Sequence, residues 1–380
     1  MVPFERKSEI VGREELLENL HECLFSAVQS GNSHTVILQG RGGAGKSEIA
    51  IEYAYRNRNL YKHIYWLIGT SKNTVICGLN SIGVITGCTT AEPGQMVWDT
   101  AKIVLSWLQR QESWLLVLDG LRNDSAVEGY LPRGGPNQHI LITTENSISV
   151  RAKQSETPAL SQGSAIDFLQ MRSGLSTEEL LLNAPSELVS ELDYLPLSIE
   201  HAATYIRKAG KSLQDYLSLF RQTCKEVSEH QTLLDSVTPT TAAATIMLIN
   251  KITEMEIGKQ AGKLLTLISF LNVDRIEPSF LLSGYEGLSA EVRSIFEKET
   301  TFINSLKLLQ EYSLIRTNLK EDVIVVHGVV QRVVKGQLSE AERSKWDAEI
   351  ASLTTTNCNR IAEIERQLLD RNLASILNKL

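Results

Sequence analysis

Residues 40–47, Gly-Arg-Gly-Gly-Ala-Gly-Lys-Ser, complete a glycine-rich loop of the Walker A type. The residues before it, Thr35-Val36-Ile37-Leu38-Gln39, read as a buried strand, and Glu48 to Tyr61 reads as a helix. A strand, such a loop and a helix in this order imply a parallel sheet with crossover helices, which excludes most other architectures. Gly40, Gly42, Gly43 and Gly45 let the backbone turn tightly, and Ala44 keeps the loop small, so that N–H groups point inward at phosphate oxygens. In that geometry Lys46 reaches the β- and γ-phosphates and Ser47 a Mg²⁺ ion. Glu48 opens the helix, whose N-terminus favours an anion.

At 380 residues the chain exceeds what one hydrophobic core usually serves, so two to four domains are expected. The 38 basic residues against 45 acidic ones give a net charge of −7 without a strongly basic run, which argues against a nucleic-acid partner. Cys23, Cys77, Cys88, Cys224 and Cys358 are odd in number and lack metal-ligand spacing, so they read as reduced thiols. Neither a hydrophobic signal region nor an apolar run of membrane-spanning length is found, and the expectation is a cytoplasmic protein without a membrane partner.

Residues 14–30 carry leucines at helical spacing. Residues 63–68, 114–118 and 139–143 read as further strands, with helices at 72–85 and 96–110 between them. This alternation predicts a P-loop α/β domain over residues 1–155, with nucleotide beyond the carboxyl ends of its strands. From 156 to 237 the pattern is helical, at 164–173, 176–182, 185–193, 197–209 and 212–226, which predicts a helical bundle. Thr238-Pro239-Thr240-Thr241 reads as a linker. Helices at 242–256, 258–270 and 300–313, then short strands near 314–317 and 323–326, predict a winged-helix domain over 238–338. A mostly helical tail fills 339–380.

Asp119 ends the apolar strand Trp114-Leu115-Leu116-Val117-Leu118. An acid there, on the same sheet as the glycine loop, is a Walker B arrangement that holds Mg²⁺ together with Ser47. Lys46 and Asp119 are therefore the candidate catalytic residues. The next residue is Gly120 rather than a second acid, so efficient hydrolysis is not expected unless Asp124 or Glu128 supplies the missing carboxylate.

With both strand ends in place, the chain resembles the nucleotide-binding core of the signal-transduction ATPases with numerous domains (STAND), most closely the NB-ARC module of fungal NOD-like receptors. Five stretches carry the resemblance: Val11-Gly12-Arg13-Glu14, Gly40 to Ser47, Trp114 to Gly120, Leu195-Pro196-Leu197, and Val326-His327-Gly328-Val329-Val330-Gln331. The resemblance implies that Val11 and Arg13 border the adenine, that Pro196 contacts bound nucleotide, and that His327 reaches the ADP β-phosphate. From the residues alone, Arg13 also fits a surface arginine, Pro196 a helix junction and His327 a core histidine. In the family an arginine follows the threonines of the fourth strand and senses the γ-phosphate; here Glu145 follows Thr143-Thr144. Gly328 likewise replaces the family's usual aspartate.

These departures imply a switch that holds ADP, or binds ATP and hydrolyses it slowly or not at all. Mg²⁺ accompanies the nucleotide, self-assembly follows activation, and effector or sensor proteins are the partners. A hinge is expected near Pro239. Few residues flank the matched region, so the chain is expected to be part of a longer receptor or a reduced member of the family. Two other readings are an active P-loop ATPase doing assembly work and a degenerate protein-binding scaffold.

Overall fold

The structure is a computed structural model that describes residues 2, 6, 10–25, 34–89, 97–176, 178, 183–229, 237–271, 276–318 and 323–377, with side chains of the closing helix described as far as Arg360. The chain divides into two compact units. One joins Met1–Met171 to Leu175–Ile199, the other Arg172–Gly174 to Glu200–Leu380.

The first unit is built on five parallel strands, β1 (Thr35–Gln39), β2 (His63–Ile68), β3 (Trp114–Leu121), β4 (Gln138–Thr144) and β5 (Lys153–Glu156). They lie in the order β2-β3-β4-β1-β5. Strand alternation explains why the central strands are apolar throughout. Val36, Leu38, Leu115, Val117 and Leu141 point to one face, with Leu17, Leu20 and Leu24 of α1 (Glu14–Phe25) and Ile49, Ala50 and Tyr53 of α2 (Lys46–Arg56). Ile37, Trp114, Leu116, Leu118, Ile140 and Ile142 point to the other, with Val75, Ile76 and Leu79 of α3 (Lys72–Thr86) and Ala101, Val104 and Leu108 of α4 (Val97–Leu108). Both faces are thus covered, and the middle of each of these strands is apolar. α3 starts at a capping box between Ser71 and Thr74 and stops at Gly87, which takes a left-handed φ of 68°.

β5 has no counterpart among the expected strands. Lys153-Gln154-Ser155-Glu156 is polar and mostly exposed because it pairs with β1 on one side only, so it carries no apolar pattern to read. The helix expected at 14–30 is described only to Phe25, and the one expected at 176–182 falls almost entirely outside the described residues. After β5 the unit continues through α5 (Gln162–Ser173), α6 (Asn183–Glu191) and the start of α7 (Pro196–Ala209). The division between units falls within α7, after Ile199.

His139 lies at the start of β4, fully buried. Its Nε2 faces the Pro136 carbonyl at 3.2 Å, which only accepts, so that nitrogen carries the proton and Nδ1 accepts from the Tyr61 hydroxyl at 2.7 Å. Burial, with His34 and then His21 adding smaller contributions, pushes the imidazole down to about 4. The unfolded chain therefore binds a proton that the folded one rejects. The stability conferred by neutral His139 is complete above about pH 6.5 and is lost as pH falls toward 4, about 3 kcal/mol in all. Denaturation followed from pH 7 to 4 should show this loss in the wild type and a shallower slope in His139→Asn. Parallel slopes would refute it.

The second unit contains the rest of α7, α8 (Leu213–Glu229), α9 (Pro239–Thr253), α10 (Gly258–Phe270), α11 (Pro278–Gly284), α12 (Ala290–Arg293) and α13 (Glu299–Glu311). The antiparallel pair β6 (Ile315–Asn318) and β7 (Val323–Val326) follows, then α14 (Gly328–Gly336) and the long α15 (Glu340–Leu377). Residues 238–241 are not a linker. The Thr238 hydroxyl accepts from the Thr241 N–H at 3.3 Å as an N-cap, and Pro239 occupies the first helical position, where its missing N–H costs nothing. Ile276 and Ile324 exchange two backbone hydrogen bonds at 2.8 Å, adding a bridge to the hairpin. α10 packs against α13, α14 and α15. Among the described residues no helix is long and apolar enough to cross a membrane.

Candidate functional site

β4 lies between β1 and β3, so the carboxyl ends of these three strands stand side by side. The glycine loop leaves β1, Thr143 and Thr144 close β4, and Asp119 stands near the end of β3. Within the loop, Gly43 and Gly45 adopt left-handed φ values of 81° and 92°, which L side chains resist. Gly45 also serves as the N-cap of α2 and brings no side chain to cap it, which suits an anion at that helix end. Lys46, only 8% exposed, donates from Nζ to the carbonyls of Gly40 and Arg41, both at 2.8 Å. Its ammonium is thereby held over the loop.

Ser47 Oγ donates to Asp119 Oδ1 at 2.7 Å, joining the two residues expected at a cation. Burial pushes the Asp119 carboxyl above its ordinary range; hydrogen bonds from Thr143 and Ser47 and the charge of Lys46 oppose this, and Glu48 adds to it. One hydroxyl and one carboxylate, both hard oxygen donors, fit Mg²⁺. When bound, the ion would neutralise the charge of the phosphates. Ser47 and Asp119 are the residues that would hold it.

Arg13 is not a surface residue. It is 5% exposed, and its guanidinium donates to the Pro158 carbonyl at 2.9 Å and the Ala44 carbonyl at 3.1 Å, tying the segment before α1 to the glycine loop. Burial lowers its pKa from the ordinary value. Gly12, at φ 65°, lies so close to Ser164 that a Cβ would stand 2.3 Å from its hydroxyl oxygen. The Leu195-Pro196-Leu197 stretch comes to the same loop. The Leu197 N–H donates to the Gly43 carbonyl at 3.2 Å, and Pro196 Cγ lies 3.9 Å from where a Cβ on Gly45 would be. Asp193 and Tyr194, just before it, both take left-handed φ values, 54° and 53°. Two consecutive non-glycine residues there store about 1–2 kcal/mol each.

Arg13, Lys46, Ser47, Asp119, Pro196 and the loop glycines therefore gather in one unit. Val11 and Glu48 are half-buried in the same unit. His327 belongs to the other unit, where it is exposed rather than in a core, and its Nδ1 accepts the Val329 N–H at 3.1 Å as the N-cap of α14. Glu145 is exposed after β4. Asp124 binds the Ser149 N–H at 2.8 Å, and Glu128 is exposed. Thr143, 1% exposed, was not among the expected site residues, although it donates to Asp119 Oδ1 at 2.5 Å. Its signal was legible in principle: it is the first polar residue after the buried apolar run Ile140-Leu141-Ile142.

The parallel sheet, the glycine loop after β1 and the acid on β3 define the fold of a P-loop NTPase. Residues 254–343 match a family model described as a domain of unknown function, DUF7779. The chain is 23% identical over 245 residues to a nucleotide-binding leucine-rich repeat (NLR)-like protein of Hyaloscypha variabilis, covering 58% of this chain and 24% of that protein. It superposes with a TM-score of 0.52 and 16% identity on a STAND protein with a tetratricopeptide repeat sensor from Pyrococcus horikoshii, covering 93% of this chain and 47% of that one. The chain thus spans less than half of either relative. The structural likeness shows the fold of a P-loop NTPase.

Proposed function

We propose that this chain is the nucleotide-held core of an NLR-like signalling switch of the NB-ARC type, in which holding ADP or ATP with Mg²⁺ matters more than turning it over. The observation that carries the reading is the seating of Pro196 and Leu197 on Gly43 and Gly45. The loop suited to phosphates is also the loop to which the first turn of α7 is bonded, so a change in what the loop holds is felt at that helix. In this reading Val11 and Arg13 border the adenine, Lys46 and the loop amides hold the phosphates, and Pro196 lies against the nucleotide.

The helices α10, α11 and α13, followed by the β6–β7 pair, have the element order of a winged helix, and we assign that role to them. His327, in front of α14, would contact the β-phosphate of ADP and lose that contact on exchange for ATP. Opening would then expose a surface for self-assembly, with effector and sensor proteins as partners in the cytoplasm; the greater length of both relatives supports such additional parts. The switch requires the two nucleotides to differ in affinity for closed and open states. Gly120 and Glu145 support slow or absent hydrolysis, since Gly120 brings no second carboxylate beside Asp119 and Glu145 stands where an arginine would sense the γ-phosphate. Denaturing the purified protein and identifying released nucleotide by mass spectrometry tests the holding. Retained ADP, with slow or no turnover of added ATP, is expected. An empty protein, or fast turnover that Asp119→Ala abolishes, would contradict the reading.

A further inference from the structure

We infer that Thr143 is the positioning residue of the metal-binding carboxylate, holding Asp119 so that Oδ2 is presented to the cation; the inference rests on the nucleotide reading above. Thr143 is buried at the end of β4, the strand between the glycine-loop strand and the Asp119 strand. Its hydroxyl does two things at once. It donates to Asp119 Oδ1 at 2.5 Å and accepts the Gly120 N–H at 2.8 Å.

The second bond exists because β3 is irregular there. The β3–β4 register shifts between Leu118 and Leu121, and Gly120 takes a left-handed φ of 72°. The bulge withdraws the Gly120 N–H from the ladder and turns it toward the Thr143 side chain, which satisfies it. The same hydroxyl then fixes the carboxylate one residue earlier. Ser47 also donates to Oδ1, so among the described residues both side-chain hydrogen bonds to Asp119 fall on one oxygen. With Oδ1 held by two donors the carboxylate has one orientation, and Oδ2 is left for a cation. Ser47 gives its proton to Asp119 and keeps its lone pairs for the ion.

Only a side chain that donates and accepts can connect bulge and carboxylate in this way. Serine keeps that capacity; valine, of nearly the same shape, has neither half of it. Residues that orient a metal ligand typically change metal affinity 10- to 100-fold when altered. The test is the affinity of the full chain for a fluorescent ADP analogue, measured with and without Mg²⁺, in wild type, Thr143→Val, Thr143→Ala and Thr143→Ser. The two variants lacking the hydroxyl should lose about tenfold of the Mg²⁺-dependent gain in affinity while binding the Mg²⁺-free analogue as wild type does. Thr143→Ser should retain the gain. Either hydroxyl-free variant keeping the full gain, or Thr143→Ser losing it equally, overturns the inference and leaves the nucleotide reading standing. A wild type that binds no ADP with or without Mg²⁺ overturns both.

Discussion

Lys46→Ala should lower ADP affinity in the presence of Mg²⁺ by at least about 100-fold, read by isothermal titration calorimetry. The ammonium is bonded to the Gly40 and Arg41 carbonyls. With nucleotide it exchanges neutral acceptors for charged phosphate oxygens, to which hydrogen bonds are shorter and about twice as strong. Each such bond to a charged group contributes about 1.5–3 kcal/mol, so losing them accounts for a factor of that size. The variant should also melt earlier in the absence of nucleotide, because two carbonyls of the loop lose their buried donor, at about 1–2 kcal/mol. An affinity within threefold of wild type would show that the loop does not hold phosphate through Lys46.

Gly43→Val should destabilise the first unit by about 2–5 kcal/mol, combining about 1–2 kcal/mol of left-handed strain with about 1–3 kcal/mol of overpacking. The added Cβ would stand 2.9 Å from the Leu197 Cβ, an atom next to the backbone that cannot swing aside. Gly45→Ala is the control. Its φ of 92° is as strained, but the nearest neighbour, Pro196 Cγ, is 3.9 Å away, so only the strain remains and about 1–2 kcal/mol is expected. Chemical denaturation of both variants separates the two contributions. Equal losses would mean that Leu197 does not press on the loop.

Much of this site could be read from the residues because its chemistry is local. A loop of four glycines before Lys46-Ser47 has one common use, and the apolar strand ending in Asp119 announces itself by being buried on both faces. Strands β1 and β2, and α10, appeared with the bounds expected. What escaped notice depended on register or on neighbours distant in sequence. β5 is polar because it is an edge. The Gly120 bulge is a property of two paired strands, and Thr143 acquires its role only because β4 lies between β1 and β3. The burial of Arg13 could not be read because nothing in Val-Gly-Arg-Glu tells of the Pro158 and Ala44 carbonyls that receive its guanidinium. Thr238-Pro239 resembled a linker because the residues that open a helix also populate loops.

The account's central claim is that the nucleotide in the 40–47 loop sets the state of the protein. Light scattering of the purified chain loaded in turn with ADP and with a non-hydrolysable ATP analogue, each with Mg²⁺, tests it most directly. A single low mass with ADP and a larger assembly with the ATP analogue is the predicted result, with Lys46→Ala indifferent to both. Identical mass distributions for the two nucleotides would contradict it.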